Sequence, residues 1–461
     1  MEKKACPPKF LNKSSDATKT QETTQKLGRA WIISVNMGYG HQRTAFPLRN
    51  WAEGKIINAN DYEGVSGRDK IIWEGTRRFY EFISRFSRIP LIGRTVFSIY
   101  DQFQKILTFY PKRDLSKPNL SSREVYSVIK TGWGEHLIQS LQSGQGQNFL
   151  PLVSTFFTPA FMAEYFNYPG EIFCIICDAD ISRVWAPFNP QESRIKYFVP
   201  TERATERLKL YGVKDENIFF TGYPLPSENI GTENLEILKY DLKHRLFNLD
   251  PKRKYFEKYK TLIEENLGKL PEKPDHPLTI MFSVGGAGAQ KEIGIKLLKC
   301  LRFYLKQGRV KVILSAGIRE KIKNYFLYHI KKLNLEDFSG GLTSANSIEI
   351  IFGEKIEDYF KKFNQALKRT DILWTKPSEL SFYSALGIPI IIAPPVGSQE
   401  EFNMRWLLKS GFGLSQENPK HTDQWLFDWL EQGYLAEAAM QGFIEGEKLG
   451  IFKIKKICSG F

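Results

Sequence analysis

Thr375-Lys376-Pro377-Ser378-Glu379-Leu380, the run from Ser381 to Pro395, and Gly397-Ser398-Gln399-Glu400-Glu401-Phe402-Asn403 form the stretch whose reading decides the fold. It reads as a strand end, a polar loop, a helix, a buried strand over Ile388 to Ala393, and a second polar loop opening another helix. In an α/β sheet both polar loops emerge at the carboxyl ends of parallel strands, where ligands bind and helix N-termini face anions. The stretch therefore predicts a pocket for a phosphorylated, hydroxyl-rich molecule.

The same alternation extends upstream. Strands are expected at Leu278 to Val284, Val310 to Ser315, Ile348 to Phe352 and Ile372 to Thr375, with helices between them. An earlier series runs through Ala30 to Val35, Leu152 to Ser154, Ile172 to Cys177, Ile195 to Val199 and Ile218 to Thr221. Gln42 to Trp51 and Glu202 to Tyr211 read as helices, and Asp423 to Ile454 is helical again. This is the βαβ rhythm of parallel sheets. Between the two series, Glu236 to Pro277 is heavily charged, carries four prolines (Pro251, Pro271, Pro274, Pro277) and reads as a helical linker.

A chain of 461 residues exceeds one ordinary core and fits two domains of roughly 200 residues each. No segment offers the ~20 uninterrupted apolar residues of a membrane span. Met1 to Leu27, rich in Lys, Thr, Gln and Ser, reads as a disordered tail rather than a signal peptide or anchor. Cys174 and Cys177 form a C-x-x-C inside an apparent buried strand, where positions i and i+3 point to opposite faces and close neither a disulfide nor a metal site. A reducing cytoplasm fits this cysteine usage. The net charge of +14 attracts polyanions, whether nucleic acid, an anionic membrane or a nucleotide.

The stretch from Trp73 to Pro111 breaks the βαβ rhythm. Its aromatic and aliphatic residues are interleaved with Arg77, Arg78, Arg85, Arg88, Arg94 and Lys105. Basic aromatic helices suit the headgroup level of an anionic bilayer; they equally suit a helical insertion that packs its rings on the sheet and leaves the arginines in water. No nucleic-acid-binding module accompanies the patch.

Two glycine loops follow strands: Asn36-Met37-Gly38-Tyr39-Gly40-His41, and Ser283-Val284-Gly285-Gly286-Ala287-Gly288-Ala289-Gln290. Glycines there let backbone N–H groups approach an anion, although tight strand-to-helix turns recruit glycine for structural reasons too. Neither is a P-loop. His41 on the first loop is a candidate general base or a helix cap. Asp178 and Asp180, in Cys177-Asp178-Ala179-Asp180 at another strand end, are further candidates for either role. The remaining histidines share no ligand spacing, and no metal site is expected.

Together these residues resemble the GT-B glycosyltransferases of the MurG and monogalactosyldiacylglycerol-synthase (glycosyltransferase family 28-like) group, in order from about residue 29 to about residue 410. Gly38-Tyr39-Gly40-His41 with Ala45-Phe46-Pro47 resembles that group's acceptor-side loop, Asp178 stands where the diacylglycerol enzymes keep a Thr-Asp after a strand, and Trp185 fits the same pattern. Thr221-Gly222-Tyr223-Pro224 resembles the Gly-x-Pro closing the first domain, and Gly285-Gly286-Ala287-Gly288-Ala289 the loop that meets the donor diphosphate. Phe352-Gly353 resembles the loop near the base, Thr375-Lys376-Pro377 the Thr-Lys-Ala/Pro-Gly, and Gly397 to Asn403 the Gly-Gln-Glu-x-x-Asn. The family's ribose-binding glutamate falls on Phe382, with Glu379 one turn earlier, and Lys376-Pro377-Ser378-Glu379 replaces a glycine-rich loop.

The resemblance implies an α/β fold of GT-B type, with two Rossmann-like domains facing a cleft and C-terminal helices returning to the first domain. The expected divisions are a tail over 1–27, an acceptor-side domain over 28–225 with an insertion at about 73–147, a linker over 226–277, a donor domain over 278–420 and closing helices over 421–461. It implies an inverting, metal-independent transfer from a nucleotide diphosphate sugar, a UDP-sugar above all, to a hydroxyl acceptor, with a membrane lipid favoured. The nucleotide-sugar is then a co-substrate and no cofactor is required. His41 or Asp178 serves as base, and Gly38, Tyr39 and Gly40 form the acceptor-side loop. Gly285, Gly286, Gly288, Ala289, Gln290, Phe352, Lys376, Ser378, Glu379, Gln399, Glu400 and Asn403 face the donor. Arg77, Arg78, Arg85, Arg88 and Arg94 dock a cytoplasmic, peripheral protein on the inner membrane face. A sugar-nucleotide 2-epimerase and a non-catalytic nucleotide-sugar binder are the alternatives on the same scaffold.

Overall fold

The computed structural model describes residues 29–75, 106–143, 149–285, 288, 290–340 and 346–460. Every strand pairing within them is parallel, and the strands fall into two sheets. The first contains β1 (Trp31–Ser34), β2 (Ile57–Asn58), β3 (Leu152–Ser154), β4 (Ile172–Ile175), β5 (Lys196–Val199) and β6 (Ile218–Phe220), in the order β2-β1-β3-β4-β5-β6. The second contains β7 (Leu278–Ser283), β8 (Val310–Gly317), β9 (Ser339–Gly340), β10 (Ile348–Phe352), β11 (Ile372–Thr375), β12 (Ile390–Ile392) and β13 (Gly413–Ser415), in the order β13-β12-β11-β7-β8-β10-β9.

Parallel neighbours need a crossover, and the helices of those crossovers cover both faces of a sheet. Hence the central strands show no apolar–polar alternation. Ile172–Ile175 and Leu278–Ser283 are buried at every position. The strand orders also locate two crevices. In the first sheet β1 lies between β2 and β3; in the second, β7 lies between β8 and β11. These are the reversal points above whose carboxyl ends open α/β sheets bind ligands. The loops after β1 and β3, and after β7 and β11, are thereby brought together.

Some elements depart from the sequence expectation. The helix expected over Gln42 to Trp51 begins earlier and ends sooner, as an α-helix Tyr39–Ala45 followed by a 3-10 turn Phe46–Leu48. Pro47 has no N–H to continue an α-helical ladder. The helix expected after Ser378 is a 3-10 helix, Glu379–Leu386. The charged stretch expected as a helical linker is helical, over Glu236–Leu249 and Lys254–Leu267. Arg245 anchors the first of these on the second domain, donating to the carbonyls of Thr370 (2.8 Å) and Leu386 (2.9 Å). The final helix, Gly450–Ser459, returns to the first domain: Gly450 lies against the Tyr223 carbonyl, and the Lys453 ammonium stands 6.0 Å above the Phe220 ring.

Candidate active site

On the acceptor side, Gly38 (φ 106°) turns the chain from β1 into the helix Tyr39–Ala45. The His41 ring lies beneath the end of β3, with Nδ1 2.8 Å from the Thr155 carbonyl. A carbonyl only accepts, so Nδ1 carries the hydrogen and Nε2 the free lone pair. Phe156 packs edge-on against the ring at 4.7 Å and Trp185 stands 6.2 Å away. Desolvation there pushes the His41 pKa down to about 4, against the Thr155 hydrogen bond and the Glu379 charge, which both favour protonation. At neutral pH His41 is an uncharged imidazole.

Asp178 follows β4. Desolvation raises its pKa to about 6, with the Asn403 hydrogen bond opposing and the charges of Glu379 and Glu400 assisting. Asp180 has a different fate: both of its oxygens are held by Arg207, at 2.8 Å each, deep in the first domain. Of the two carboxylates in this loop, Asp180 is therefore a structural partner and Asp178 faces the cleft.

On the donor side, Gly285 follows β7 so closely beneath Lys376 that a Cβ would come within 2.3 Å of the lysine Cε. A larger residue there would force the lysine side chain to shift. Lys376 pairs with Glu400, whose other oxygen accepts the Val396 N–H at 2.8 Å. Gly288 and Gln290 both adopt positive φ (71° and 63°), and Gln290 donates to the Pro394 carbonyl before the helix Lys291–Cys300 begins. That N-terminus gives the crevice a partial positive charge. Phe352 ends β10; its carbonyl accepts from Lys362 (3.1 Å) and its ring lies 4.8 Å beneath the Lys323 ammonium. Ser378 and Gln399 are half-buried, at the starts of the 3-10 helix Glu379–Leu386 and the helix Ser398–Ser410. Gly286 and Ala289 lie outside the described residues, as do Arg77, Arg78, Arg85, Arg88 and Arg94.

Two residues expected to face the donor make contacts across the cleft. Glu379 accepts from Arg43 Nε at 3.1 Å, with the two side chains 10% and 2% exposed. Its second oxygen stands 3.3 Å from where a Cβ on Gly40 would be. Asn403 donates to Asp178 at 3.1 Å and accepts from the Ala179 N–H at 2.8 Å. Phe382, where the resemblance would set the family's ribose glutamate, is buried and stacked on Tyr223 of the first domain, with centroids 5.1 Å apart and planes 15° apart.

Arg43 escaped the sequence reading. Its guanidinium lies over the rings of Phe363 (4.3 Å) and Phe360 (4.6 Å) and donates to the Tyr359 hydroxyl at 3.2 Å. Tyr39, one turn before it on the same helix face, extends the contact by accepting the Ile318 N–H at 3.0 Å. That i, i+4 pairing with the loop tyrosine was the available signal. Among the described residues, no cluster of three or more His, Cys, Asp or Glu side chains could hold a metal ion, and no helix is long and apolar enough to cross a membrane.

A family described as a domain of unknown function, DUF6938, matches residues 271–453. The chain is 20% identical over 397 residues to a processive diacylglycerol beta-glucosyltransferase of Bacillus subtilis, spanning 84% of this chain and 82% of that protein. Among solved structures, MurG of Acinetobacter baumannii superposes with a TM-score of 0.44 at 11% identity, covering 94% of this chain and 100% of the other. UDP-GlcNAc 2-epimerase from Neisseria meningitidis bound to UDP-GlcNAc does so with a TM-score of 0.44 at 14% identity, covering 93% and 98%. The chain has a two-domain α/β fold of GT-B type and resembles the family 28-like glycosyltransferases.

Proposed function

We propose that this protein transfers a sugar, with inversion and without a metal, from a UDP-sugar to a hydroxyl of a membrane lipid. The observation that carries the reading is the placement of Asp178, joined across the cleft to Asn403 at 3.1 Å and next in sequence to Cys177, whose Sγ lies 3.5 Å from His41 Nδ1, beside the lysine-bearing crevice above β7 and β11. The sequence likeness to a diacylglycerol glucosyltransferase supports the lipid acceptor, and the +14 charge supports an anionic membrane around it.

Inversion needs a base on one side of the anomeric carbon and a charge clamp on the other. Asp178 takes the acceptor hydroxyl proton. The freed oxygen bonds to C1 from the face opposite the diphosphate as the bond from C1 to the diphosphate oxygen breaks. The electron pair leaves with the nucleoside diphosphate, which Lys376 and the N-terminus of Lys291–Cys300 stabilise. A base with a pKa of about 6 is better matched to neutral pH than an imidazole at about 4. His41, with Nε2 free, lines the acceptor side and is the alternative acceptor of that single hydroxyl proton.

The test is a screen of UDP- and GDP-sugars with diacylglycerol in anionic vesicles, with the anomer of the product determined. A glycolipid of inverted configuration supports the proposal. Epimerised UDP-GlcNAc formed without acceptor, or nucleotide binding without any turnover, would replace it. Changing Arg77, Arg78, Arg85 and Arg88 to Ser is expected to weaken vesicle binding; unaltered binding removes the membrane part.

A further inference from the structure

We infer that Asn403 is a positioning residue that holds the Asp178 carboxylate from across the cleft, rather than a contact for the donor. This rests on the transferase reading of Asp178. The Asn403 amide is already committed. Its Oδ1 accepts the Ala179 N–H at 2.8 Å, and its Nδ2 donates to Asp178 Oδ1 at 3.1 Å and to the Pro377 carbonyl at 3.4 Å. A backbone N–H only donates and a carbonyl only accepts, so these partners also fix which end of the amide is which. The side chain is 1% exposed, and both its hydrogens and its oxygen are used. It has no N–H left to offer a sugar.

The placement ties the two halves of the reaction together. Asn403 sits one turn beyond Glu400 on the helix Ser398–Ser410, and residues three apart share a helix face. One face thus carries the partner of the phosphate-side lysine and the partner of the base. The groups whose charges bear on Asp178 are Glu379 and Lys376 from the loop after β11 and Glu400 from this helix; Cys177 adjoins it on its own strand end. Among these, Asn403 and Lys376 favour the ionised carboxylate. When the donor domain docks, it therefore delivers the hydrogen bond that keeps the base aimed and ionised.

Asn403→Ala and Asn403→Asp test this, each compared with the unaltered chain in two measurements. The first is the pH profile of kcat alongside the KM for the UDP-sugar. The second is a 13C carboxyl NMR titration with labelled aspartate, the Asp178 signal being assigned by its loss in Asp178→Asn. Loss of one hydrogen bond to a carboxylate is expected to move the acidic limb up by about one pH unit, with KM changed less than about twofold. The Asp variant, which adds a second carboxylate, is expected to move the limb further, and it decides the matter if the Ala variant does not fold. An unmoved limb with a KM raised about tenfold overturns the inference and returns Asn403 to the donor. If the unaltered chain turns over no nucleotide-sugar, the transferase proposal falls. The NMR titration then decides alone, and an Asp178 pKa unchanged in both variants sinks the positioning role.

Discussion

The carboxyl ends of the two sheets hold their polar groups in opposite ways. In the first domain His41 lies among aromatic rings and Asp178 near the carboxylates of Glu379 and Glu400, and desolvation drives both toward their neutral forms. In the second, Lys376 is met directly by Glu400 and remains partly open to water. One end stores reactivity by withholding solvent, and the other stores charge by pairing it. A base needs its pKa moved toward the working pH, which burial accomplishes. A clamp for a diphosphate needs a full positive charge that can exchange one anion for another, which an ion pair still partly open to water allows.

The contrast breaks most sharply at Asp178. Asp178→Asn keeps the shape and the Asn403 contact but cannot accept a proton. It is expected to lower kcat by about 10²- to 10⁴-fold, the usual contribution of a general base, with donor KM nearly unchanged. A comparable rise in KM instead would place Asp178 on the donor.

Arg43 is where the two ends meet, and it comes next in magnitude. Arg43→Met retains much of the stacking on Phe360 and Phe363 but leaves Glu379 buried without its cation. Breaking a buried pair in this way costs about 3–5 kcal/mol, measurable by urea denaturation. Glu379→Gln, which preserves an acceptor for Arg43 Nε, is expected to cost less. Equal losses for both would mean that packing, not charge, joins the domains at this point.

Lys376→Met strikes the paired end. Glu400 already offsets the lysine's charge and water screens it, so donor kcat/KM is expected to fall only about tenfold, on the order of 1.4 kcal/mol. A loss as large as that of Asp178→Asn would erase the distinction between the two ends.

How much of this was legible follows from how far each contact reaches along the chain. Apolar runs such as Ile172 to Cys177 and Leu278 to Val284 announced buried parallel strands because the pattern is local. The strands that escaped notice, β2 at Ile57–Asn58, β9 at Ser339–Gly340 and β13 at Gly413–Ser415, are only two or three residues long and carry no apolar run. Asp178 was legible because a polar residue just after an apolar run marks a strand end, and His41 because it stands on the glycine loop that follows one. The partners of Glu379 and Asn403 were not: Arg43 lies 336 residues from Glu379, and Asp178 lies 225 residues from Asn403. A sequence pattern places a residue on a loop, whereas docking of two domains decides what that loop meets. Phe382 carried a local hint, since a large aromatic residue within a polar stretch suits packing, and there it stacks on Tyr223.

The smallest effect separates the two candidate bases. A base works when deprotonated, so the rate falls as pH drops through the pKa of whichever group serves. For Asp178 that pKa is about 6 and for His41 about 4. Desolvation raises the first, because it disfavours the carboxylate, and lowers the second, because it disfavours the imidazolium. Between pH 5 and 7 His41 stays neutral and cannot shape the profile, while Asp178 changes from mostly protonated to mostly ionised. The rate at pH 6 is therefore expected to be about half the neutral plateau, a twofold effect read from kcat against pH at saturating donor. A limb centred near 4 would transfer the proton-accepting role to His41 and leave Asp178 as the orienting group. The residual rate of Asp178→Asn would then lack any limb near 6 and fall only as His41 becomes protonated.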